Sequence, residues 1–274
     1  MKLLFTDLDD TLLNNQSLVS PETKAFLDEF LDRGNRLILS SGRPLASVLE
    51  VKEQAGLNRP GIFVSSSNGT LVYDCDNRRI IMKTCLPLSY VSYLQKQAVA
   101  LSLHIHTYRE ESGKNDAIVT PGETEEIRYY RRRVHLPLII SENLCEPLNE
   151  GPCKLLAISL HNPEKLEAFR KNIADWAEDK IQTIYSNKQY LELFDKSAGK
   201  GSSLRFLCDY LGVPLSDAYA AGDAENDISM LEAAGYGIAM KNATDKVKAH
   251  ADVVTDLDND RNGLADIMYK LLNI

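Results

Sequence analysis

The sequence predicts an α/β protein, in which a doubly wound parallel sheet is interrupted by a second, α+β domain. Strand and helix signals alternate over the first 65 residues, and the same alternation returns after residue 200. The segment between these regions is richer in strands and lacks the regular alternation. Because alternating strands and helices are typical of a parallel sheet with helices on its faces, the middle segment is predicted to be inserted between two halves of one sheet.

The N-terminal region reads as strand, helix, strand, helix, strand. Ser20 is a typical N-cap and Pro21 suits the first helical position, so the first helix is predicted to begin here. A second helix is predicted to begin at Pro44 and to end at Gly56. The predicted strands are the apolar runs 2–6, 36–39 and 62–64.

The remaining elements define the domain boundaries. In the middle segment we predict a hairpin at 71–73 and 80–83, helix 87–101, strand 103–107, a polar loop at 112–116, strand 155–160, helix 164–177 and strand 181–185. Toward the C-terminus we predict helix 200–211, strand 218–221, helix 227–234, strand 237–240 and helix 263–272. The predicted core therefore comprises residues 1–83 and 189–274, with an α+β cap at 84–188.

Charge and composition argue against several classes of protein. The 274 residues include 31 Lys and Arg against 39 Asp and Glu, whereas a nucleic-acid-binding surface needs the opposite balance. The apolar run 3–5 is too short for a signal peptide and no window suits a spanning helix, so no membrane partner is expected. The five cysteines lack CxxC spacing, which argues against a zinc ribbon or disulfide framework and favours the cytoplasm. A monomer and a small homo-oligomer both remain possible.

The strongest candidate for chemistry is the run Asp7-Leu8-Asp9-Asp10-Thr11, which directly follows the first predicted strand. Residues two apart point the same way at a strand end, so Asp7 and Asp9 are predicted to converge beyond the carboxyl edge of the sheet. Two close carboxylates can divide the roles of nucleophile and proton carrier, and their oxygens suit Mg²⁺. The alternative is an acidic loop that caps a helix or faces solvent.

Three further motifs fall at strand ends or helix starts of the same predicted sheet. After the second strand, the Ser41 hydroxyl and the backbone at Gly42 suit a phosphoryl oxygen. Lys200 stands between two glycines before a helix, and the run 221–227 packs three acids and an amide that repel one another without a cation. Each motif alone could be a turn, a solvated lysine or a helix cap. Their shared position at one sheet edge favours a phosphate site.

This order of motifs resembles the haloacid dehalogenase superfamily, and within it the Cof-like phosphatases, whose α+β cap is inserted between the second and third motifs. The matching runs are DLDDTLL (7–13), SSGRP (40–44), SNG (67–69), KG (200–201), GDAENDISML (222–231), GIAMKNA (237–243) and NGLA (262–265). They extend through nearly the whole predicted core, whereas the cap matches in length, position and α+β character. Asp10 stands where this branch often has glycine, and Ser41 where threonine is common.

The resemblance implies a Rossmann-like core and a two-step phosphoryl transfer. Asp7 would attack phosphorus to form an aspartyl-phosphate, while Asp9 would protonate the leaving oxygen and later deprotonate the hydrolytic water. Mg²⁺ would be held by the Asp7 carboxylate, the Asp9 backbone carbonyl and Asp223, with Asp227 orienting Lys200 or a metal-bound water. The residues implied to bind the substrate phosphate are Leu8, Ser41, Gly42, Lys200 and Asn226.

Substrate choice is expected to lie in the cap. His104 and His106 share one strand face, so they could line a sugar-phosphate pocket, bind a stray metal or form a half-exposed strand face, which is the commoner case. The arginines at 128 and 131–133 could attract a second anion, although a solvated helix face explains them better. Three functions remain: a Mg²⁺-dependent phosphatase of small phosphorylated metabolites, with sugar phosphates favoured; a phosphomutase; and a non-catalytic sugar-phosphate-binding regulator. The presence of both Asp7 and Asp9 argues against the regulator, and a mutase needs several convergent arginines to hold two phosphates.

Overall fold

The computed structural model describes residues 1–111 and 116–273, so most of the predicted polar loop at 112–116 lies outside the described residues. The strands, in chain order, are β1 (Leu3–Thr6), β2 (Arg36–Ser40), β3 (Ile62–Ser66), β4 (Leu71–Asp74), β5 (Arg79–Lys83), β6 (His104–Arg109), β7 (Ala117–Thr120), β8 (Leu138–Ile140), β9 (Lys154–Ile158), β10 (Ile181–Asn187), β11 (Tyr190–Asp195), β12 (Ala218–Gly222), β13 (Tyr236–Ala239) and β14 (Val253–Val254). The α-helices are α1 (Pro21–Asp32), α2 (Leu45–Gln54), α3 (Leu88–Ala100), α4 (Glu125–Tyr130), α5 (Glu164–Ala177), α6 (Lys200–Leu211), α7 (Ile228–Ala233), α8 (Asp245–Lys248) and α9 (Gly263–Leu272).

The larger of two sheets has β1 near its centre. Its strand order is β14-β13-β12-β1-β2-β3-β4-β5, with parallel pairing from β14 to β3 and antiparallel pairing from β3 to β5. Leu3 is in register with Ala218 on β12 and with Arg36 on β2, so these three strands run side by side toward one edge. Every residue of β1 is buried, as expected for a parallel strand covered on both faces. The predicted doubly wound parallel sheet is confirmed.

Helices cover both faces of the larger sheet. Helices α1, α2 and α9 pack on the face that carries Leu4, whereas α6 and α7 pack on the face that carries Phe5. Helix α1 begins as predicted, since the Ser20 hydroxyl oxygen accepts a hydrogen bond from the Thr23 N–H at 3.1 Å and Pro21 occupies the first turn. Within residues 1–111 and 116–273, no helix has the length and apolar composition needed to cross a bilayer.

The smaller sheet belongs to the inserted segment. Its order is β10-β11-β9-β6-β7-β8, and every pairing except β7–β8 is antiparallel. Helices α3 and α5 pack on one face, against Ile105 and Leu155. The other face approaches the larger sheet, because Lys154 on β9 reaches the loop after β2. The predicted α+β insertion is therefore confirmed.

The second domain crossing does not lie at residue 188, where the sequence analysis placed it. Lys188 and Gln189 form the turn of the β10–β11 hairpin, and β11 pairs with β9 inside the smaller sheet. Two polar residues between apolar runs can mark either a linker or a tight turn, and here they mark a turn. The chain leaves the smaller sheet at 196–199, directly before α6.

Candidate active site

Three neighbouring strands of the larger sheet end at the same crevice. Asp7 follows β1, Ser41 and Gly42 follow β2, and Asp223 follows β12. Together with Asn226, these residues line a crevice of about 550 Å³, and the facing wall comes from the inserted segment, at α4 and at the β10–β11 hairpin. The carboxyl ends of parallel strands are where open α/β sheets bind ligands. The structure thus brings together residues that lie far apart in the sequence.

A buried lysine bridges two acids beside this crevice. The Lys200 ammonium donates to Asp7 Oδ1 at 2.6 Å and to Asp227 Oδ1 at 2.5 Å, with no exposed surface of its own. Helix α6 can approach α7 because residue 201 is glycine, since a Cβ there would lie 2.2 Å from the Ser229 carbonyl oxygen. Burial acts to lower the pKa of Lys200, but the charges of Asp227 and Asp7 outweigh it and raise that pKa. Lys200 is therefore a fixed cation.

Asp227 organises the loop after β12. Its Oδ2 accepts hydrogen bonds from the backbone N–H groups of Asp223 and Ala224, each at 3.0 Å, while its Oδ1 accepts from Lys200. Gly222 permits this close approach, because a Cβ at that position would lie 2.4 Å from the Asp227 side chain. Asp227 therefore contacts Lys200, one of the two partners that the sequence analysis left open, and also fixes the backbone that carries Asp223.

Asp7, Asp223 and Asp227 form a compact cluster, here called the acidic group. Each offers one carboxylate oxygen, and these oxygens lie within 4.8 Å of one another. Burial, and to a smaller extent the charges of Asp227 and Asp7, raise the pKa of Asp223 to about 8. A hydrogen bond from the Thr11 hydroxyl to Asp223 Oδ1 at 2.8 Å acts in the opposite direction. Burial also raises the pKa of Asp7 to about 7, although Lys200 opposes the shift. Oxygen ligands that repel one another when ionised fit a hard divalent cation such as Mg²⁺.

These raised pKa values predict that Mg²⁺ stabilises the protein more at high pH than at low pH. Between the ordinary carboxyl pKa and the raised values, the folded protein binds more protons than the unfolded chain, so its free energy of unfolding falls as the pH rises. A cation bound to the ionised acidic group offsets that loss. We expect Mg²⁺ in place of a chelator to raise the melting temperature by about 5 °C near pH 8 and by much less near pH 5.5.

Melting curves of the wild type and two variants check this expectation. Asp223→Asn should lose most of the Mg²⁺-dependent increment, because it removes one oxygen ligand of the acidic group. Asp179→Asn alters a carboxylate that is 76% exposed, and it should keep the full increment. An increment of equal size at both pH values, or one that survives in Asp223→Asn, contradicts cation binding at the acidic group.

The Asp9 side chain has a different partner. Arg43 donates to both of its oxygens, from Nε to Oδ2 at 2.9 Å and from Nη2 to Oδ1 at 2.6 Å. Asp10 has a φ of 58°, in the left-handed region that favours glycine, which gives a physical reason for the glycine common at this position in the resembling proteins. The Asp9 side chain lies outside the acidic group, so its expected part in metal binding is confined to the backbone carbonyl.

Polar atoms without protein partners lie beside the crevice. The Ser41 hydroxyl oxygen accepts from the Arg43 N–H at 3.1 Å, and its own proton has no acceptor among the described residues. Asn226 Nδ2 donates to Asn68 Oδ1 at 2.9 Å, whereas Asn226 Oδ1 and Asn68 Nδ2 are buried with no partner in the described part of the chain. Buried polar atoms are nearly always paired in folded proteins, and of these residues Ser41 and Asn226 line the crevice, where a polar ligand could supply further partners.

Two of the predicted phosphate-binding residues can contribute backbone groups alone. The Leu8 side chain is fully buried in the core of the larger sheet. Gly42 has no side chain, and its carbonyl oxygen accepts a hydrogen bond from Lys154 Nζ at 2.5 Å. Lys154 also donates to Glu192 Oε2 at 2.6 Å in a buried ion pair. The orientation of the Gly42 carbonyl is therefore fixed by the smaller sheet.

Glu110, directly after β6, makes a second connection between the two sheets. Its Oε1 accepts from the N–H of Leu45, the first residue of α2, and from the Ser67 hydroxyl, each at 3.2 Å. The first N–H groups of a helix lack partners within that helix, so Glu110 caps α2 from the other sheet. Burial raises the pKa of Glu110, although the Leu45 N–H opposes the shift.

A comparison with protein families identifies the chain. A family model for haloacid dehalogenase-like hydrolases matches residues 4–268, nearly the whole length. The chain belongs to this family. The resemblance carried by the motifs at the strand ends is therefore confirmed.

Individual haloacid dehalogenase-like relatives agree with this assignment. Phosphatase YwpJ of Bacillus subtilis is 31% identical over 298 residues, covering 99% of this chain and 100% of the relative. The 5-amino-6-(5-phospho-D-ribitylamino)uracil phosphatase YwtE of the same organism is 27% identical, covering 100% and 99%. The crystal structure of a haloacid dehalogenase-like hydrolase from Bacteroides thetaiotaomicron superposes with a TM-score of 0.87 at 28% identity, covering 98% and 99%. The predicted enzyme class, a phosphatase-type hydrolase, is confirmed.

In this hydrolase the cap residues singled out from the sequence fall in different places. Of the four arginines considered, Arg133 lines the crevice, whereas Arg128, Arg131 and Arg132 do not. Arg132 lies over the Tyr129 ring, and Arg128 donates to the backbone carbonyl of Glu123. His104 and His106 are buried on β6 and hydrogen-bonded to each other, so the expectation of a half-exposed strand face is wrong.

The sequence analysis gave no role to several residues that shape the site. Thr11, Arg43 and Asn68 lie inside the quoted motifs, so their positions were visible although their partners were not. Lys154 opens a strand that is otherwise apolar, and Glu192 lies between apolar residues in β11. Since an unpaired charge is rarely buried, two such charges on neighbouring strands are a usable signal for a buried ion pair.

Proposed function

We propose that the protein is a Mg²⁺-dependent phosphatase that hydrolyses small phosphorylated metabolites, with sugar phosphates as the favoured class, through an aspartyl-phosphate at Asp7. The observation that carries this proposal is the acidic group joined to the buried Lys200 at the carboxyl edge of the larger sheet. A carboxylate nucleophile, a fixed cation and a set of oxygen ligands in one crevice supply what phosphoryl transfer requires, namely positioning and charge stabilisation.

The reaction proceeds in two steps. An Asp7 oxygen attacks phosphorus, the bond from phosphorus to the ester oxygen breaks, and Asp9 gives that oxygen a proton. Asp9 then takes a proton from water, whose oxygen attacks phosphorus, and the bond to Asp7 breaks to release inorganic phosphate. Because Arg43 holds both Asp9 oxygens, Asp9 must exchange this partner for the ester oxygen when substrate binds.

The remaining site residues bind charge. The groups proposed to contact the phosphoryl oxygens are the backbone of Leu8 and Gly42 and the side chains of Ser41, Lys200 and Asn226. Asp7, Asp223 and the Asp9 carbonyl would hold Mg²⁺, which supplies neutralisation of charge between the nucleophile and the phosphate. Asp227 positions Lys200 and also the backbone N–H of Asp223. Without such neutralisation, two anions would meet at reduced dielectric, at a cost of several kcal/mol.

The walls of the crevice favour a hydroxylated leaving group. Asn187, Gln189 and Tyr190 line it from the smaller sheet and offer hydrogen-bonding groups. The relative YwtE is named for a substrate with a phosphorylated ribityl group, which is a polyol phosphate. All five cysteines, each within the described residues, are free thiols, which is in keeping with the reducing cytoplasm that we propose as the location.

Arginine placement favours a phosphatase over a phosphomutase. A mutase holds a second phosphate, which calls for several arginines converging on the crevice. Of the cap arginines at 128 and 131–133, Arg133 alone contributes to the lining. Because a single one of these cap arginines faces the crevice, the crevice suits an ester that carries one phosphate.

Release of inorganic phosphate from a panel of phosphate esters tests the proposal. We expect turnover of sugar phosphates that a chelator abolishes and Mg²⁺ restores, with no requirement for a bisphosphate activator. Conversion of a substrate to its isomer without free phosphate would establish a mutase, and binding without turnover would establish a regulator. Zinc as the sole effective ion would contradict the oxygen-ligand assignment, since Zn²⁺ prefers nitrogen and sulfur ligands.

A further inference from the structure

An array of hydrogen bonds runs along one face of β6 in the smaller sheet, from Thr124 at the start of α4 to Tyr130 at the crevice. Strand β6 places His104, His106 and Tyr108 on one face, because alternate residues share a side of a strand. Thr124 Oγ1 lies 3.0 Å from His104 Nδ1, His104 Nε2 lies 3.0 Å from His106 Nδ1, and His106 Nε2 lies 3.0 Å from the Tyr108 hydroxyl. The Tyr108 hydroxyl donates to the Tyr130 hydroxyl at 2.7 Å.

The titratable members of the array are neutral around neutral pH. Burial lowers the pKa of His104 to about 4 and lowers the pKa of His106 well below its ordinary value. Burial likewise raises the pKa values of Tyr108 and Tyr130. A neutral imidazole has one N–H donor and one acceptor nitrogen, and a hydroxyl has a single proton. Each member can therefore donate once along the array.

The hydrogen bond that Tyr108 donates to Tyr130 sets the direction of the other bonds, because each member donates once along the array. Because Tyr108 gives its proton to Tyr130, it must accept from His106, which places the His106 proton on Nε2. His106 Nδ1 then accepts from the Nε2 proton of His104, and His104 Nδ1 accepts from the Thr124 hydroxyl. At the far end, Thr124 Oγ1 accepts from the Ile127 N–H at 3.3 Å as the cap of α4, and its own proton remains free for the bond to His104.

The array ends at a donor on the crevice wall. Tyr130 lines the crevice together with Arg43, the partner of Asp9. The Tyr130 oxygen already accepts from Tyr108, and its own proton has no acceptor among residues 1–111 and 116–273. Tyr130 belongs to α4 of the inserted segment, lines the crevice that also holds Asp9, and lies close enough to Arg43 to affect the pKa of that guanidinium. Its hydroxyl is therefore a donor available to a group bound in the crevice.

We propose that Tyr130 is a substrate-positioning residue whose hydroxyl donates to an oxygen of the leaving group, with its direction set by the array. The inference rests on the proposed function and narrows the substrate class. It selects esters whose leaving group presents an acceptor oxygen near the ester bond, as phosphorylated sugars and polyols do. An apolar leaving group would leave a desolvated donor unpaired, and sites built around such a hydrogen bond discriminate strongly.

Kinetics of Tyr130→Phe test the positioning role. We expect kcat/KM for the best sugar phosphate of a panel to fall about 10- to 100-fold, while phenyl phosphate, which lacks the acceptor oxygen, changes less than about 3-fold. Tyr185→Phe removes a hydroxyl that donates to Glu167 elsewhere in the smaller sheet, and it should leave both substrates unchanged. An equal loss for both substrates in Tyr130→Phe, or no loss for the sugar phosphate, overturns the proposal.

Histidine NMR tests the array without reference to turnover. Nitrogen chemical shifts of the wild type should show His104 and His106 as neutral Nε2–H forms at neutral pH. In Tyr108→Phe the His106 signal should change, since its acceptor is lost. A neutral Nδ1–H form or a doubly protonated ring at either histidine overturns the assigned direction. If the wild-type protein releases no phosphate from any ester, the proposed function is contradicted. The protonation forms of the two histidines would still test the direction of the hydrogen bonds in the array.

Discussion

Asp7→Asn should abolish phosphate release while leaving the fold intact. An amide has the size of the carboxylate but cannot form an acyl phosphate, so we expect a loss of at least about 10³-fold in kcat. The fold should survive because the asparagine oxygen can still accept from Lys200 and because the substitution removes a carboxylate whose pKa is raised by burial. Steady-state phosphate release, together with melting curves, measures both effects.

A matched variant separates the nucleophile from a general effect of charge. Asp209→Asn makes the same acid-to-amide change at an exposed position of α6, and it should retain wild-type turnover. Acid quenching during turnover should trap a phosphoryl group on the peptide that contains Asp7 in the wild type and not in Asp7→Asn. Residual activity within about tenfold of the wild type would refute the nucleophile assignment.

Lys200→Met should lower kcat/KM by about 10²- to 10³-fold for every ester, because the transferred phosphoryl group is common to all of them. It should also destabilise the protein near neutral pH by about 3–5 kcal/mol, since a buried ion pair loses its cation while Asp7 and Asp227 stay close together. Lys200 lowers the pKa of Asp7, which is about 7 in its presence, so that pKa rises further in the variant. The loss of stability should therefore grow as the pH rises above about 7 and be smaller at lower pH, where Asp7 is protonated.

Denaturant unfolding near pH 8 and pH 5.5, with kinetics on several esters, checks both parts. Lys96→Met makes the same substitution at an exposed position of α3 and should match the wild type in each measurement. Sparing of particular esters by Lys200→Met would show that Lys200 contacts the leaving group. Equal destabilisation at both pH values would show that the buried carboxylates do not drive it.

The larger sheet was predictable from the sequence because its signals are local. Alternating apolar runs mark the strands, Ser20 and Pro21 mark the start of α1, and the motifs fall where strands end. Helices α5 and α9 have the predicted bounds, 164–177 and 263–272. The side-chain partners were not predictable, because the pairing of Asp9 with Arg43 depends on how two separate loops meet in space.

The smaller sheet was harder to predict for a physical reason. Its strands β7 and β8 have four and three residues, too few for a clear alternation of apolar and polar positions. The burial of His104 and His106 depends on α4 and its flanking turns, which cover that face of β6. A two-residue period shows that side chains share a face and says nothing about what covers it.

The contacts of Glu110 and Lys154 limit how far this cap can be treated as a separable module. A cap grafted from a relative would replace the crevice walls, but it would also remove the acceptor for the Leu45 N–H and the donor to the Gly42 carbonyl. Both groups adjoin the loop after β2, so the graft would disturb the core as well as the specificity walls. Exchange of specificity between members of the family should therefore succeed when the two anchoring side chains are carried along with the new walls, and fail when they are left behind.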